Sequence, residues 1–292
     1  MEIRVLRYFL AVAREESISG AAKFLHISQP TLSRQIKELE EELGHSLFIR
    51  GNRKITLTEN GRLLRKRAEE IVTLVGKTKS ELSKPDDVIS GEIYIGSGET
   101  EAMRLIAETA HEFHCLYPNV RYNLFSGNAD DVIERLDKGL LDFGILIGAT
   151  DLSKYNYIEI PATDTWGLLI RKDNPLSTHG SIKPEDLLGI PLLFSKQALN
   201  HKEISYWLGD KSDKLNIIAS YNLIYNASLM VEEGIGSALC LDNLVYTGKD
   251  SFLSFKPFEP PLKAKLYIIW KKYQVFSKAT AKFLEKLQKD YM

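Results

Sequence analysis

Cysteine is nearly missing from this chain: Cys115 and Cys240 are the only two in 292 residues. Two thiols so distant in sequence exclude a disulfide framework and agree with a reducing compartment. A redox switch between them is one reading, and two separate, buried, inert thiols are the expected one. Long hydrophobic runs are also absent. No apolar stretch reaches the ~18 residues of a membrane span, and no membrane association is expected. The opening MEIRVLRYFLAVAREE carries charges through its apolar stretch and lacks a small-residue cleavage site. That is not a secretory signal, and the expected location is the cytoplasm. Enzyme signatures are lacking too. Gly96-Ser97-Gly98 is no G-x-S-x-G elbow, and Glu101 stands where G-x-G-x-x-G needs its third glycine. His111-x-x-His114-Cys115 has the spacing of a metal site, but Phe113 and Leu116 mark its helix as packed. No metal, no cofactor and no catalysis are expected.

Net charge is almost absent, with 38 Lys+Arg against 39 Asp+Glu, but its distribution is uneven. Residues 1–84 hold 16 basic and 11 acidic side chains, a net +5, and the remaining residues carry −6. A basic segment on an acidic body suggests that the first part alone meets a polyanion. The length suits two or three domains, and 44% hydrophobic with 26% charged residues is a soluble, globular composition.

What is present begins with helical periodicity. Ile3, Leu6, Phe9, Leu10 and Ala13 share one face. Ser17 or Ser19 suits the N-cap of a short second helix with Ile18, Ala21, Ala22 and Leu25 inward. After His26-Ile27, Ser28 suits the cap of a third helix with Pro30 in its first turn, Leu32, Ile36, Leu39 and Leu43 inward, and Gly44 at its end. The small pair Ala21-Ala22 permits the close crossing of a helix-turn-helix, placed at about residues 18–37. Leu47–Arg50 and Ile55–Thr58 then flank a basic Gly51-Asn52 turn, a β-hairpin wing. Farther on, Leu64, Ala68, Ile71, Val75, Thr78 and Leu82 step by fours and threes as a heptad seam, ended by Lys84-Pro85. A helix packed on its own domain is the other reading of that pattern.

From Gly91 strands and helices alternate: strands over 91–96, 120–125 and 142–147, with helices over 100–116 and 129–138. Strands over 166–170, 191–194, 217–221 and 237–241 follow, with a helix over 226–233, and the chain closes with strand 266–270 and helix 277–289. This rhythm predicts two α/β lobes with parallel strands and crossing connections. There is no internal sequence repeat.

Ala21-Ala22-Lys23-Phe24-Leu25, the block Ser28 to Ile36, Leu39 to Gly44, Leu47 to Arg50 and Thr56 to Gly61 follow one another in the order of a known motif series. The chain resembles the LysR-type transcriptional regulators over essentially its whole length. The resemblance implies an α/β chain of three parts. These are a winged helix-turn-helix DNA-binding domain (1–58), a linker and dimerisation helix with a hinge (59–87), and a regulatory domain (88–292) similar to periplasmic solute-binding proteins. Lobe I of that last part is placed at about 88–161 and 266–292, lobe II at about 162–265.

At the start of the third helix Gln29 and Arg34 are suited to base edges, and Ser28 and Thr31 to phosphates. By resemblance Gln29, Pro30, Ser33 and Arg34 match positions used at double-stranded DNA. Wing residues Arg50, Arg53 and Lys54 are expected at the backbone or minor groove. Turns at strand ends are expected to surround a small-molecule effector: Ser97, Gly98, Glu99 and Thr100, then Asn128 and Ala129, then Phe194 and Ser195, then Asn226. Glu99 argues against a strongly anionic one. Leu64, Ala68, Ile71, Val75 and Leu82 are expected at a homodimer seam. The resemblance extends this to a homotetramer, with RNA polymerase as a further partner. A solute-binding or transport-associated receptor is the alternative that residues 88–292 alone would permit, and the N-terminal motif weighs against it.

Overall fold

A computed structural model describes residues 1–51, 54–82, 88–148, 151–195, 198 and 202–292. The expected wing residue Arg53 and the hinge at 84–87 lie outside these. Two compact units are present, Met1–Lys84 and Pro85–Met292.

In the first unit the order is α1 (Ile3–Glu15), α2 (Ile18–Phe24), α3 (Gln29–Leu43), β1 (Phe48–Arg50), β2 (Ile55–Leu57) and α4 (Glu59–Leu82). The caps read from the sequence form. Ser17 Oγ accepts the Gly20 N–H at 3.2 Å, and Ser28 Oγ accepts that of Thr31 at 3.3 Å. Gly44 ends α3 in the left-handed region at φ 69°. Between α2 and α3, His26 also takes a positive φ of 54°, while Ile27 N–H donates to Ala22 O at 3.0 Å and closes the turn. Leu6, Phe9, Val12, Ala21, Ala22, Leu32, Ile36, Leu39 and Leu47 are buried in one core. Each fully buried aliphatic of this kind contributes roughly 1.5–3 kcal/mol of transfer free energy. The hairpin is antiparallel, with Ile49 opposite Thr56.

Ala68 is corrected as a seam residue. Its side chain has no exposure at all, and Leu64 and Val72 pack on the same core, so this face of α4 covers its own domain. Ile71 and Leu82 stay exposed, joined by Leu63 and Leu74. At ~100° per residue these four fall within about a 100° arc, a stripe that borders the core-covering face.

In the second unit β3 (Gly91–Ser97), α5 (Met103–Leu116), β4 (Val120–Ser126), α6 (Ala129–Asp137) and β5 (Phe143–Ile147) come first. A 17-residue strand, β6 (Tyr155–Arg171), follows. Then come β7 (Pro191–Ser195), α7 (Lys202–Leu208), β8 (Asn216–Tyr221), α8 (Ile224–Glu232), β9 (Ser237–Leu241), β10 (Leu253–Pro257), β11 (Lys263–Lys271) and α9 (Lys278–Tyr291). The strand order is β4-β3-β5-β11-β6-β9-β7-β8, with β10 on the other side of β6. β3 runs parallel to β4 and β5, and β7 parallel to β8 and β9.

β6 is the strand that joins the two halves. Its residues 155–165 pair with β11, and from Trp166 it pairs with β9. The sequence reading recovered only 166–170 of it and missed β10 and α7. Pro161, Asp164 and the two threonines Thr163 and Thr165 interrupt the apolar alternation that marks a strand, and only the neighbours on both sides hold such a segment extended. The main core, including Phe113, Phe143, Trp270 and Phe283, lies under α5 and α9 in the first half and continues to Phe194 and Trp207 in the second. No helix among the described residues is long and apolar enough to cross a membrane.

Candidate DNA-facing surface and interlobe cleft

Helix α3 presents its N-terminal end outward because Leu32, Ile36 and Leu39 anchor the opposite face. Gln29, Pro30, Thr31 and Arg34 are exposed and Ser33 is half-buried. Ser28 and Thr31 also bond each other, Oγ to Oγ1 at 2.7 Å, so capping occupies part of their capacity. Arg34 Nε lies 3.4 Å from Glu38 Oε1 one turn on. Both side chains are exposed, so the pair contributes little stability and is readily exchanged for another anion.

Lys54 is tied to Glu16 at 2.5 Å, which holds its ammonium pKa above the ordinary value, and Ile55 N–H donates to Glu16 O at 2.9 Å. The wing is thus fastened to the end of α1. Glu40 of α3 fastens its other side, accepting the N–H groups of Leu47 at 2.7 Å and Phe48 at 3.2 Å. Sequence reading did not single out Glu40. A glutamate on a charged helix carries no local mark of a partner seven residues away.

In the second unit a narrow, open cleft lies where the two half-sheets meet. Gly98, Glu99, Asn128 and Ser195 line it as expected, together with Ile147, Trp166, Tyr221, Asn222, Leu223, Ile224, Cys240 and Leu241. Five of the residues expected there are elsewhere. Ser97 and Thr100 line an adjoining hollow beside Glu101, Met103 and Leu124. Thr100 is buried and spends its hydroxyl on Asp164 Oδ2 at 2.5 Å, while accepting the Ala102 N–H at 3.1 Å. Phe194 is buried in the core because alternation along β7 turns it inward. Ala129 is outside the lining, whereas Asn128 before it caps α6 by accepting the Asp131 N–H. Asn226 is solvent-exposed, because α8 begins two residues earlier and its start puts Asn222 to Ile224 at the cleft instead.

Burial is the largest influence on Asp164, raising its carboxyl to about 6; the Thr100 hydroxyl opposes this, and the charges of Asp242 and Glu101 add to it. Cys240 at the cleft is buried, and burial raises its thiol pKa, with Asp242 and Glu99 reinforcing. That thiol stays protonated near neutral pH and is a poor nucleophile. Cys115 is exposed rather than buried, its sulfur 4.0 Å from His111 Nε2. Among the described residues no group of three or more His, Cys, Asp or Glu is placed to hold a metal.

Residues 3–62 match the family described as "Bacterial regulatory helix-turn-helix protein, lysR family", and residues 86–291 match "LysR substrate binding domain". The chain is 27% identical over 284 residues to the uncharacterized HTH-type transcriptional regulator YbhD of Escherichia coli (strain K12), covering 97% of this chain and 89% of that protein. It is 34% identical over 194 residues to the DNA-binding transcriptional dual regulator OxyR of the same strain, covering 66% of this chain and 63% of that one. Among solved structures, CbnR, a LysR family transcriptional regulator, superposes with a TM-score of 0.77 at 21% identity over 100% of both chains. Full-length CbnR complexed with its target DNA gives 0.74 at 21% over 99% of both. At that identity these two are evidence of a common fold.

Proposed function

The chain belongs to the LysR family of bacterial transcription regulators, which carry a DNA-binding and an effector-binding domain, and from that premise we propose how its residues divide the work. Residues 1–58 bind double-stranded DNA, 59–87 link and dimerise, and 88–292 sense a small molecule in the interlobe cleft. The supporting observation is the end of α3, where Gln29 and Arg34 stand free of the core on a helix fixed from behind. Entering the major groove by that end, Gln29 reads an adenine edge and Arg34 a guanine or a phosphate, while Ser28, Pro30, Thr31 and Ser33 set the register. Arg50, Arg53 and Lys54 of the wing are assigned to the backbone or minor groove, with Lys54 exchanging Glu16 for phosphate.

Arg34→Ala is expected to lose ~1–3 kcal/mol for the preferred site, about 5- to 150-fold in Kd, if the contact is to a base. A gel-shift titration against the chain's own upstream DNA and random DNA measures this. Equal affinities of wild type and variant on both DNAs would remove Arg34 from base reading.

The open stripe of α4, with Ile71 and Leu82 and now Leu63 and Leu74, is assigned to a homodimer, and the assignment to a homotetramer rests on the family. Replacing Ile71 and Leu74 by Asp should bury charge in that seam and separate subunits in sedimentation. An unaltered sedimentation coefficient would clear α4 of the role. RNA polymerase is the partner assigned at a promoter.

A further inference from the structure

The cleft is closed by a carboxylate of its own. Glu99, in the loop after β3, accepts the backbone N–H of Ile224 at 2.5 Å, joining two residues 125 positions apart. Ile224 is the first residue of α8, and its N-cap Leu223 makes no side-chain cap. In α3, α6 and α9 the N-terminal N–H groups are met by their own caps, Ser28, Asn128 and Ser277. At α8 the cap instead comes from the other half-sheet, across the cleft. A helix start with uncapped N–H groups is a seat for an anion, and here Glu99 sits in it.

The surroundings point the same way. Among the described residues that line the cleft none is basic. Asp130 and Asp131 occupy the first turn of α6 behind Asn128, so that helix start also faces an anion with negative charge. Burial chiefly raises the pKa values of Tyr221 and Cys240 in the wall, and the Glu99 charge adds to both. The wall also holds the apolar side chains of Ile147, Trp166, Leu223 and Leu241, with Ser195 and Asn222 as neutral polar groups. An incoming carboxylate would have to evict Glu99 and would meet no basic side chain among the described lining residues.

We propose that Glu99 is the specificity-determining residue of this cleft: it fills the anion seat at the start of α8, excludes small carboxylates, and restricts the effector to uncharged or cationic molecules. The proposal rests on the reading of the cleft as the effector site. Sodium acetate and sodium benzoate, each against equal sodium chloride, are the probes. Full-length wild type and Glu99→Ala are followed by tryptophan fluorescence, which includes the cleft residue Trp166, and by thermal unfolding.

Wild type should respond to acetate and benzoate as it does to chloride. Glu99→Ala should unfold at lower temperature and regain stability with saturable acetate binding, the small anion replacing the deleted one. Glu99→Gln keeps an acceptor for Ile224 and should stay indifferent to acetate. Saturable binding of either anion by wild type overturns the proposal, and so does a Glu99→Ala protein that gains no acetate response. The wild-type titration decides by itself should the alanine variant fold poorly. Leu241→Trp, which fills the cleft, separates this from failure of the underlying reading. A ligand found by screening the full chain that binds this variant as tightly as wild type sits elsewhere, whatever acetate does.

Discussion

Gly61→Ala should destabilise the N-terminal unit by about 1–3 kcal/mol, although alanine is the better helix former. Gly61 lies in the first turn of α4, where a Cβ would stand 2.1 Å from the backbone oxygen of Leu47 and 3.0 Å from a Leu57 methyl. Backbone cannot swing aside like a side-chain tip, so helix and hairpin must separate. The same place carries a cap: Thr58 Oγ1 accepts the Gly61 N–H at 2.9 Å and donates to Ser46 O at 2.8 Å, and Thr58 N–H donates to Leu47 O at 3.0 Å. Overpacking costs ~1–3 kcal/mol and a lost cap ~1 kcal/mol, against ~1 kcal/mol gained in helix propensity. Hydrogen exchange over residues 1–82 of the full chain isolates this unit. Protection of its core amides should fall about 5- to 150-fold, and DNA affinity should fall with it as the wing shifts. Core amides that exchange at the wild-type rate would show that the approach of Gly61 to Leu47 is not the constraint proposed.

Asp164→Asn should stabilise the protein at pH 8 and do so only about a third as much at pH 4.5. Asp164 is 4% exposed, at the point where β6 passes from one half-sheet to the other, and its carboxyl is raised from 3.8 to about 6, chiefly by burial. Between these pH values the folded chain holds a proton that the unfolded chain has released. The stability supplied by the protonated form is therefore full below about pH 4 and is lost as pH rises through about 6. Above that the ionised group is a standing penalty, roughly 3 kcal/mol at the limit and about 1–2 kcal/mol after local relaxation. Asparagine removes the charge and keeps an acceptor for the Thr100 hydroxyl. At ~2–4 °C per kcal/mol for a unit this large, Tm at pH 8 should rise by about 2–8 °C. The variant-minus-wild-type difference cancels the other carboxylates. A difference of equal size at pH 4.5 and pH 8 would mean that charge burial is not what the substitution relieves.

Both residues show where sequence reading stops. Gly61 belonged to a recognisable motif, yet its partner, the Leu47 carbonyl, is backbone and leaves no trace in side-chain identity. Asp164 lies where Pro161, Thr163 and Thr165 break the strand signal. Among the cleft residues, Glu99 was legible as a polar turn after a strand, and its charge already argued against anions. Its engagement with Ile224 was not legible, because nothing in a sequence states which helix start 125 residues away lacks a cap. Asn226 was misplaced for a related reason. Without a capping side chain at Leu223, the start of α8 had no local marker and was set two residues late.

Local chemistry alone determined the helices of the N-terminal unit, their caps at Ser17, Ser28 and Gly44, the hairpin wing and the outward face of α3. Those features depend on periodicity and on side chains that bond backbone within three or four residues, and short-range interactions are written in consecutive residues. Tertiary structure alone decided that Ala68 faces its own core, that β6 is shared by both halves, that Thr100 belongs to Asp164, and that Glu99 caps α8. Each of these depends on a partner brought near by the path of the chain, and which of several chemically suitable partners arrives is settled by topology.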